Sequence, residues 1–405
     1  MIERKEYLDK LREWKDQSII KVITGIRRCG KSTLLKLFID ELLNNGIDAE
    51  QIISINFEEM EYEDLLDYKK LYAYIKNHSV EGKMTYLFLD EIQNVDFYEK
   101  VVDSLFVKDN YDIYMTGSNS YIFSGQLATN LRGRYIEISM LPFSFKEYYS
   151  LNNLDKNQAF NEYMKVGGFP YINQHDMNDE QHNLYMEGIY NTVLLKDIEE
   201  RLNRKEMEKN TKKITDVSLL KSISKYLSSV LGSPISIRSI TNYFKSNERK
   251  ISPNTVSTYL DALCESYLYY PVEQMDIFGK EVLKLNKKFY IVDMGIRNFI
   301  LPRKEYDLGF TIENIDYLEL LRRGYIVNVG RLDTTEVDFI ARKKDIYTYF
   351  QVTASMVDKT TFEREMRPLI NIQDNYEKII LTLDNFTTGN YNGIKVINVV
   401  DWLLD

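Results

Sequence analysis

An α/β architecture with a parallel sheet is what this sequence predicts, and three observations carry that reading. Residues 18–24, Ser-Ile-Ile-Lys-Val-Ile-Thr, form a β-branched run that enters a glycine-bearing loop and then a helix. A second run, Met84 to Leu89, closes on Asp90-Glu91. Its unbroken apolar character predicts a central strand buried on both faces. Strand-length runs separated by helical spacing return between residues 325 and 399.

The first loop, Gly25-Ile-Arg-Arg-Cys-Gly-Lys-Ser32, fits G-x-x-x-x-G-K-[ST] without deviation. Leu34, Leu35, Leu37, Phe38 and Leu42 follow at helical spacing, so the motif has the strand–loop–helix setting it needs. Gly25 and Gly30 let the backbone turn its N–H groups inward on phosphate oxygens, and the helix N-terminus adds partial positive charge. Lys31 is expected to reach the β- and γ-phosphates of ATP, and Ser32 to ligate Mg²⁺. Arg27, Arg28, Cys29 and Thr33 are counted with the nucleotide contacts.

The second acidic element completes the pattern. Asp90 is expected at Mg²⁺ and Glu91 at the attacking water. Residues 111–119 predict the next strand with a polar tip, where Ser118 or Asn119 would sense the γ-phosphate or the water. Arg134, with Arg132 second, stands before the strand Tyr135–Ile138. It can stabilise transition-state charge in a neighbouring subunit, or serve as a surface or nucleic-acid-contacting arginine.

Composition sets the frame. The 405 residues fit two to four domains of about 100–200 residues each. A charged fraction of 28% and a hydrophobic fraction of 44% are those of an ordinary globular chain. No apolar run is long enough to cross a membrane and the N-terminus does not read as a signal peptide. Cys29 and Cys264 lie far apart, so no disulfide is expected and a cytoplasmic location is the simplest home. The net charge is −9, yet residues 201–250 hold 12 Lys/Arg against 4 Asp/Glu. That is either one basic module on an acidic body or a solvated helical surface.

The chain resembles the AAA ATPases of the AAA+ P-loop superfamily. More narrowly, it resembles a prokaryotic group marked by the loop at Gly25–Thr33 and Leu-Asp-Glu-Ile-Gln at Leu89–Gln93. Further marks are Thr116–Ser120, Leu131–Arg134, Pro142–Glu147 and Gly167–Pro170. The resemblance implies sensor 1 around Ser118–Asn119, an arginine finger at Arg134, and ATP turnover coupled to a homo-oligomer.

Residues 1–144 are thus read as the P-loop domain and 145–213 as a helical lid. Residues 214–300 predict a winged helix-turn-helix. Helices are expected over about 216–231, 236–246 and 253–267, the last opened by Ser252-Pro253, and strands over 267–275 and 283–292. In such a fold the third helix enters the DNA major groove. Asn254, Ser257 and Thr258 are expected on its exposed face, preceded by Arg249 and Lys250, with Arg238 and Lys245 placed for phosphates. Winged helices also serve as connectors and protein-binding pieces.

Residues 301–405 predict a helix over about 311–323, strands at 325–329, 336–342 and 346–354, a helix over 359–371, and strands at 378–383 and 394–399. That order resembles the restriction-endonuclease-like fold of the PD-(D/E)xK superfamily. The matching residues are Glu313, Glu336-Val337-Asp338 and Gln351-Val352-Thr353. Glu313, Asp338 and Gln351 would be its vestigial acid site. Thr353 stands where an active enzyme has lysine, which favours a recognition or scaffolding domain over cleavage. The readings carried forward are an ATPase coupled to DNA, an ATP-gated nuclease, and an ATP-driven switch acting on a protein partner.

Overall fold

The computed structural model describes residues 2–118, 133–175, 177–194, 198, 216–301, 308–332 and 335–405. The chain divides into two compact units. One is Met1–Pro142 with Glu265–Tyr267, and the other is Phe143–Cys264 with Leu268–Asp405.

The first unit is built on five strands: β1 (Ile20–Thr24), β2 (Ile52–Asn56), β3 (Thr85–Asp90), β4 (Tyr111–Gly117) and β5 (Tyr135–Ser139). They pair in the order β2-β3-β4-β1-β5, and every pairing is parallel. Every residue of β1 and β3 is buried, as a strand covered on both faces requires. Helices α1 (Lys5–Trp14), α2 (Lys31–Asn44), α3 (Tyr68–His78) and α4 (Tyr98–Phe106) belong to the same unit. Leu71, Ile75, Val102 and Leu105 of the last two helices join Leu87, Leu89, Ile113 and Met115 of the sheet in one core. Phe38 of α2 packs at 5.3 Å on Tyr114, which stacks at 4.8 Å on Phe88. This aromatic seam anchors α2 on the sheet directly behind the loop it must present.

The second unit carries eight more strands: β6 (Tyr269–Asp276), β7 (Val282–Ile291), β8 (Ile326–Leu332), β9 (Thr335–Lys343), β10 (Ile346–Thr353), β11 (Glu377–Thr382), β12 (Gly389–Tyr391) and β13 (Ile394–Asn398). Their order is β12-β13-β11-β10-β9-β8-β6-β7. The expected helices lie at Val217–Ser229, Ile237–Ser246 and Pro253–Glu265, followed by the β6–β7 hairpin. That hairpin is not a free-standing wing. β6 pairs in parallel with β8 through Gln274–Val329, Met275–Gly330 and Asp276–Arg331, joining it to the C-terminal meander in one sheet. Gly330 permits the approach: an added Cβ there would lie 2.9 Å from Val337 Cβ and 3.1 Å from Ile277 Cδ1.

The segment expected to be a lid holds helices at Phe145–Tyr149, Lys156–Val166, Pro170–Asn173 and Asp179–Thr192. The glycines of the Gly167–Pro170 segment meet a buried acid. Asp293 accepts from Gly168 N at 2.6 Å and from Gly295 N at 2.8 Å, and a Cβ on Gly167 would fall 2.1 Å from its Oδ1. Both cysteines are free, and among the described residues no helix is long and apolar enough to cross a membrane.

Candidate nucleotide site

Parallel strands place their C-terminal ends on one edge of a sheet, where ligands of α/β folds collect. Register sharpens this here. Ile23 is level with Thr116 and Leu89 with Met115. The loop after β1, the acids ending β3 and the tip of β4 therefore meet at one edge.

The loop leaves β1 at Gly25, whose φ is +146°. An added Cβ there would sit 2.1 Å from the carbonyl oxygen of Met140, so only glycine fits. Gly30, at φ +106°, caps the N-terminus of α2 in the left-handed region. Arg4, buried to 4% exposure, ties the loop to its surroundings by donating to Cys29 O at 3.1 Å and Leu141 O at 2.8 Å.

Lys31 opens α2 and is buried. Its Nζ donates to Gly25 O at 3.0 Å and lies 3.6 Å from Glu91 Oε1. Burial disfavours the ammonium, but Glu91, Cys29 and Asp90 outweigh it and hold its pKa above the ordinary lysine value. Burial pushes the Asp90 carboxyl up, against the pull of the neighbouring Thr116 and Ser32 hydroxyls. The two expected Mg²⁺ ligands are thus adjacent.

Glu91 sits at φ 54°, ψ 45°, a left-handed backbone uncommon for a residue with a side chain and met most often where function demands it. Thr116 explains how it is held. Its Oγ1 accepts from Glu91 N at 2.9 Å and donates to Asp90 Oδ1 at 2.5 Å. Gln93 Nε2 donates to Glu91 Oε2 and lies 3.5 Å from Ser118 Oγ. Burial would raise the Glu91 pKa, yet Lys31, Arg27, Gln93 and Ser118 together keep it below the usual carboxylate value.

The remaining expected positions divide. Cys29 turns its thiol into the core, and its amide donates to Ile26 O at 3.3 Å. Arg27 donates to Glu58 at 2.8 Å, Arg28 is exposed at φ 64°, and Thr33 is exposed. Arg134 pairs with Asp103 of the same chain and lies over the Phe106 ring at 5.5 Å. Asn119 and Arg132 lie outside the described residues.

Sequence reasoning missed Thr116 and Gln93 as holders of the acids. Thr116 sat in plain view at the end of an apolar strand, where a hydroxyl is out of pattern.

On the helix–hairpin segment, Arg238, Lys245, Lys250, Asn254 and Thr258 are exposed, and Ser257 is half-buried. Arg249, expected to precede the DNA-facing helix, turns back instead. It donates to Asp216 Oδ2 and Ser222 Oγ, both at 2.9 Å. Two carboxylate and hydroxyl partners on the first helix outcompete solvent for its guanidinium.

Glu313 and Asp338 come together in the second unit, with a group that sequence reasoning missed. Lys288 of β7 lies 3.0 Å from Glu313, 2.6 Å from Glu336 and 3.8 Å from Asp338. Gln351 turns aside: its Nε2 donates to Glu365 at 2.9 Å and its Oε1 faces Asp338 N at 3.4 Å. Burial, then Glu313, push the Asp338 carboxyl up to about 8 against the pull of Lys288. No sequence signal could have found Lys288, which lies 25 residues before Glu313 in a segment read as part of another domain.

A parallel five-stranded sheet with this loop, the paired acids and the threonine between them defines a P-loop ATPase of the AAA type. Residues 17–149 match the AAA domain family, and residues 157–307 match a domain of unknown function, DUF8612. An uncharacterized protein of Haemophilus influenzae is 40% identical across 100% of this chain and 99% of its own length. The uncharacterized protein MJ1544 of Methanocaldococcus jannaschii is 31% identical across 94% of this chain and 85% of its own. The chain belongs to the family of these relatives. The Walker-type ATPase PABY2304 of Pyrococcus abyssi is similar over 74% of this chain and 96% of its own, at 16% identity and a TM-score of 0.48.

Proposed function

We propose that this chain binds ATP with Mg²⁺ at Gly25–Thr33 and hydrolyses it, and that its nucleotide state governs engagement of DNA. The observation that supports the first half best is the meeting of Lys31, Ser32, Asp90 and Glu91 at one strand edge, with Thr116 bridging the two acids.

The residues fit the ligand. The Gly25 cradle accepts no Cβ, and the donors are a lysine, a hydroxyl and a carboxylate, the set that Mg·ATP requires. When bound, Mg²⁺ would supply charge neutralisation to the nucleotide's phosphates. Lys31 exchanges its carbonyl partners and Glu91 for phosphate oxygens. Ser32 and Asp90 hold the metal side. Glu91, freed of Lys31, orients water, with Ser118 beside it. Arg134 acts on a neighbouring copy's phosphate after exchanging Asp103 for it, which makes the active form a homo-oligomer.

The DNA half of the reading rests on the three helices Val217–Ser229, Ile237–Ser246 and Pro253–Glu265 with their hairpin, read as a winged helix-turn-helix. Exposed Arg238 and Lys245 lie on the second helix and exposed Lys250 in the turn before the third, and exposed cations attract phosphates without reading sequence. The finer division is then P-loop domain, lid, winged helix and a restriction-endonuclease-like domain in a scaffolding role, and the cytoplasm is the proposed site of action. The test is duplex DNA binding by the full chain at several salt concentrations, with and without a non-hydrolysable ATP analogue. Affinity that falls steeply with salt and changes with nucleotide supports the proposal. Binding that is absent, or indifferent to salt, defeats its DNA half and leaves a protein partner as the object of the switch.

A further inference from the structure

Lys288 is 1% exposed, although it belongs to β7 at the end of the strand order. Three carboxylates converge on its ammonium from two elements, Glu313 on the helix Leu308–Arg322 and Glu336 and Asp338 on β9. Carboxylates gathered on one point are the donors that hard divalent cations select. Without a cation between them, carboxyl groups this close could not all stay ionised.

The other polar contacts close the cluster around the lysine. Tyr290 OH donates at 2.7 Å to the same Glu313 oxygen that Lys288 contacts. Asp338 Oδ2 accepts from Val352 N at 2.8 Å. The Gln351 side-chain oxygen faces the Asp338 amide at 3.4 Å. Gly232 lies against Glu313, where an added Cβ would fall 3.0 Å from Oε2. Among the described residues no group of three or more His, Cys, Asp or Glu side chains is arranged to hold a metal ion.

We propose that the Lys288 ammonium is a built-in cation standing where a divalent ion would otherwise bind, so that this acidic cluster is complete without metal. An ammonium beside a bound metal would leave the acids to the metal; Lys288 instead touches all three. Its contacts of 2.6 Å with Glu336 and 3.0 Å with Glu313 suit N–H···O bonds, with Asp338 an ion-pair neighbour at 3.8 Å, whereas divalent ions sit about 2.0–2.6 Å from oxygen. Ammonium and metal therefore exclude each other. The consequence is a cluster that ties β7 to β9 and to the helix carrying Glu313 at any metal concentration.

The probe is Mn²⁺ alone, without nucleotide, on the full chain. Lys288→Ala is expected to bind Mn²⁺ about tenfold more tightly than wild type and to melt higher when Mn²⁺ is added. Lys288→Ala combined with Asp338→Asn should lose that gain. Wild-type Mn²⁺ binding should be unaffected by Glu313→Gln. Should Lys288→Ala not fold alone, recovery of the fold by Mn²⁺ supports the proposal. Lys288→Met with Glu313→Gln and Glu336→Gln removes the cation together with two of its counter-charges, and folding of that neutral variant without metal supports it as well. A Lys288→Ala chain that gains no Mn²⁺ affinity while folded overturns the proposal. So does wild-type Mn²⁺ binding that Glu313→Gln abolishes, or failure of both variants to fold with Mn²⁺ present.

Discussion

Lys31 and Glu91 face each other at the strand edge, Nζ 3.6 Å from Oε1, and both side chains are buried. Each holds the other's charge: the carboxylate keeps the ammonium protonated and the ammonium keeps the carboxylate ionised. The pair is a stored geometry. A phosphate that draws Lys31 away leaves Glu91 aimed by its left-handed backbone, with Arg27, Gln93 and Ser118 still beside its carboxylate.

Gln93 is a positioning residue on this reading, because it touches Glu91 alone of the acids. Gln93→Ala is expected to lower kcat about tenfold with KM unchanged, the signature of an interaction made only in the transition state. Gln93→Glu should do worse, since a second carboxylate beside Glu91 repels it. A rise in KM at constant kcat would place Gln93 in binding instead.

Arg134 gives a prediction about assembly. Held by Asp103 in its own chain, it could act on a neighbour only after exchanging that partner. Arg134→Ala and Glu91→Gln proteins should each be nearly inactive, and mixing them should restore part of the turnover. Mixtures no more active than their components would return Arg134 to a structural role.

Stability offers an independent check. Lys21 sits in the middle of β1 with no exposure and pairs with buried Asp112. Asp112 also accepts from Tyr114 OH at 2.8 Å and Asp16 N at 3.0 Å. Removing one partner of a buried pair costs about 3–5 kcal/mol. Asp112→Ala should therefore destabilise the first unit by that amount in denaturant titration, while Lys21→Met with Asp112→Leu should recover most of it.

For the DNA half, the charge reversals Lys245→Glu and Lys250→Glu should weaken binding uniformly across sequences. With two fewer phosphates neutralised, the log–log salt slope should flatten by about two. A slope unchanged by both substitutions would move the DNA-binding surface elsewhere.

β2 was missed, its run broken by exposed Ser54, but β1 and β3 were legible because strands buried on both faces read as apolar runs, and because the loop motif fixes its own neighbours. Glu91, Asp90 and Lys31 were legible for the same reason. Lys21 shows the limit: a lysine inside a buried strand contradicts the pattern until Asp112 is placed beside it. The strand Gly389–Tyr391 and the helix Val399–Leu404 were missed. The strand has three residues, too few to show a period. The helix had one cue, Asn398, whose side chain accepts from Val400 and Asp401 N–H groups. The joining of β6 to β8 and the arrival of Lys288 among the acids depend on pairings between distant segments, which no local pattern encodes.

The proposed ATPase depends on Lys31 to bind nucleotide and on Glu91 to activate water. Binding of an ATP analogue and turnover of Mg·ATP, measured side by side on wild type, Lys31→Ala and Glu91→Gln, test it most directly. Lys31→Ala should lose binding. Glu91→Gln should bind as well as wild type and turn over about 10²–10⁴-fold more slowly. Undiminished turnover by Glu91→Gln, or unimpaired binding by Lys31→Ala, would contradict the account.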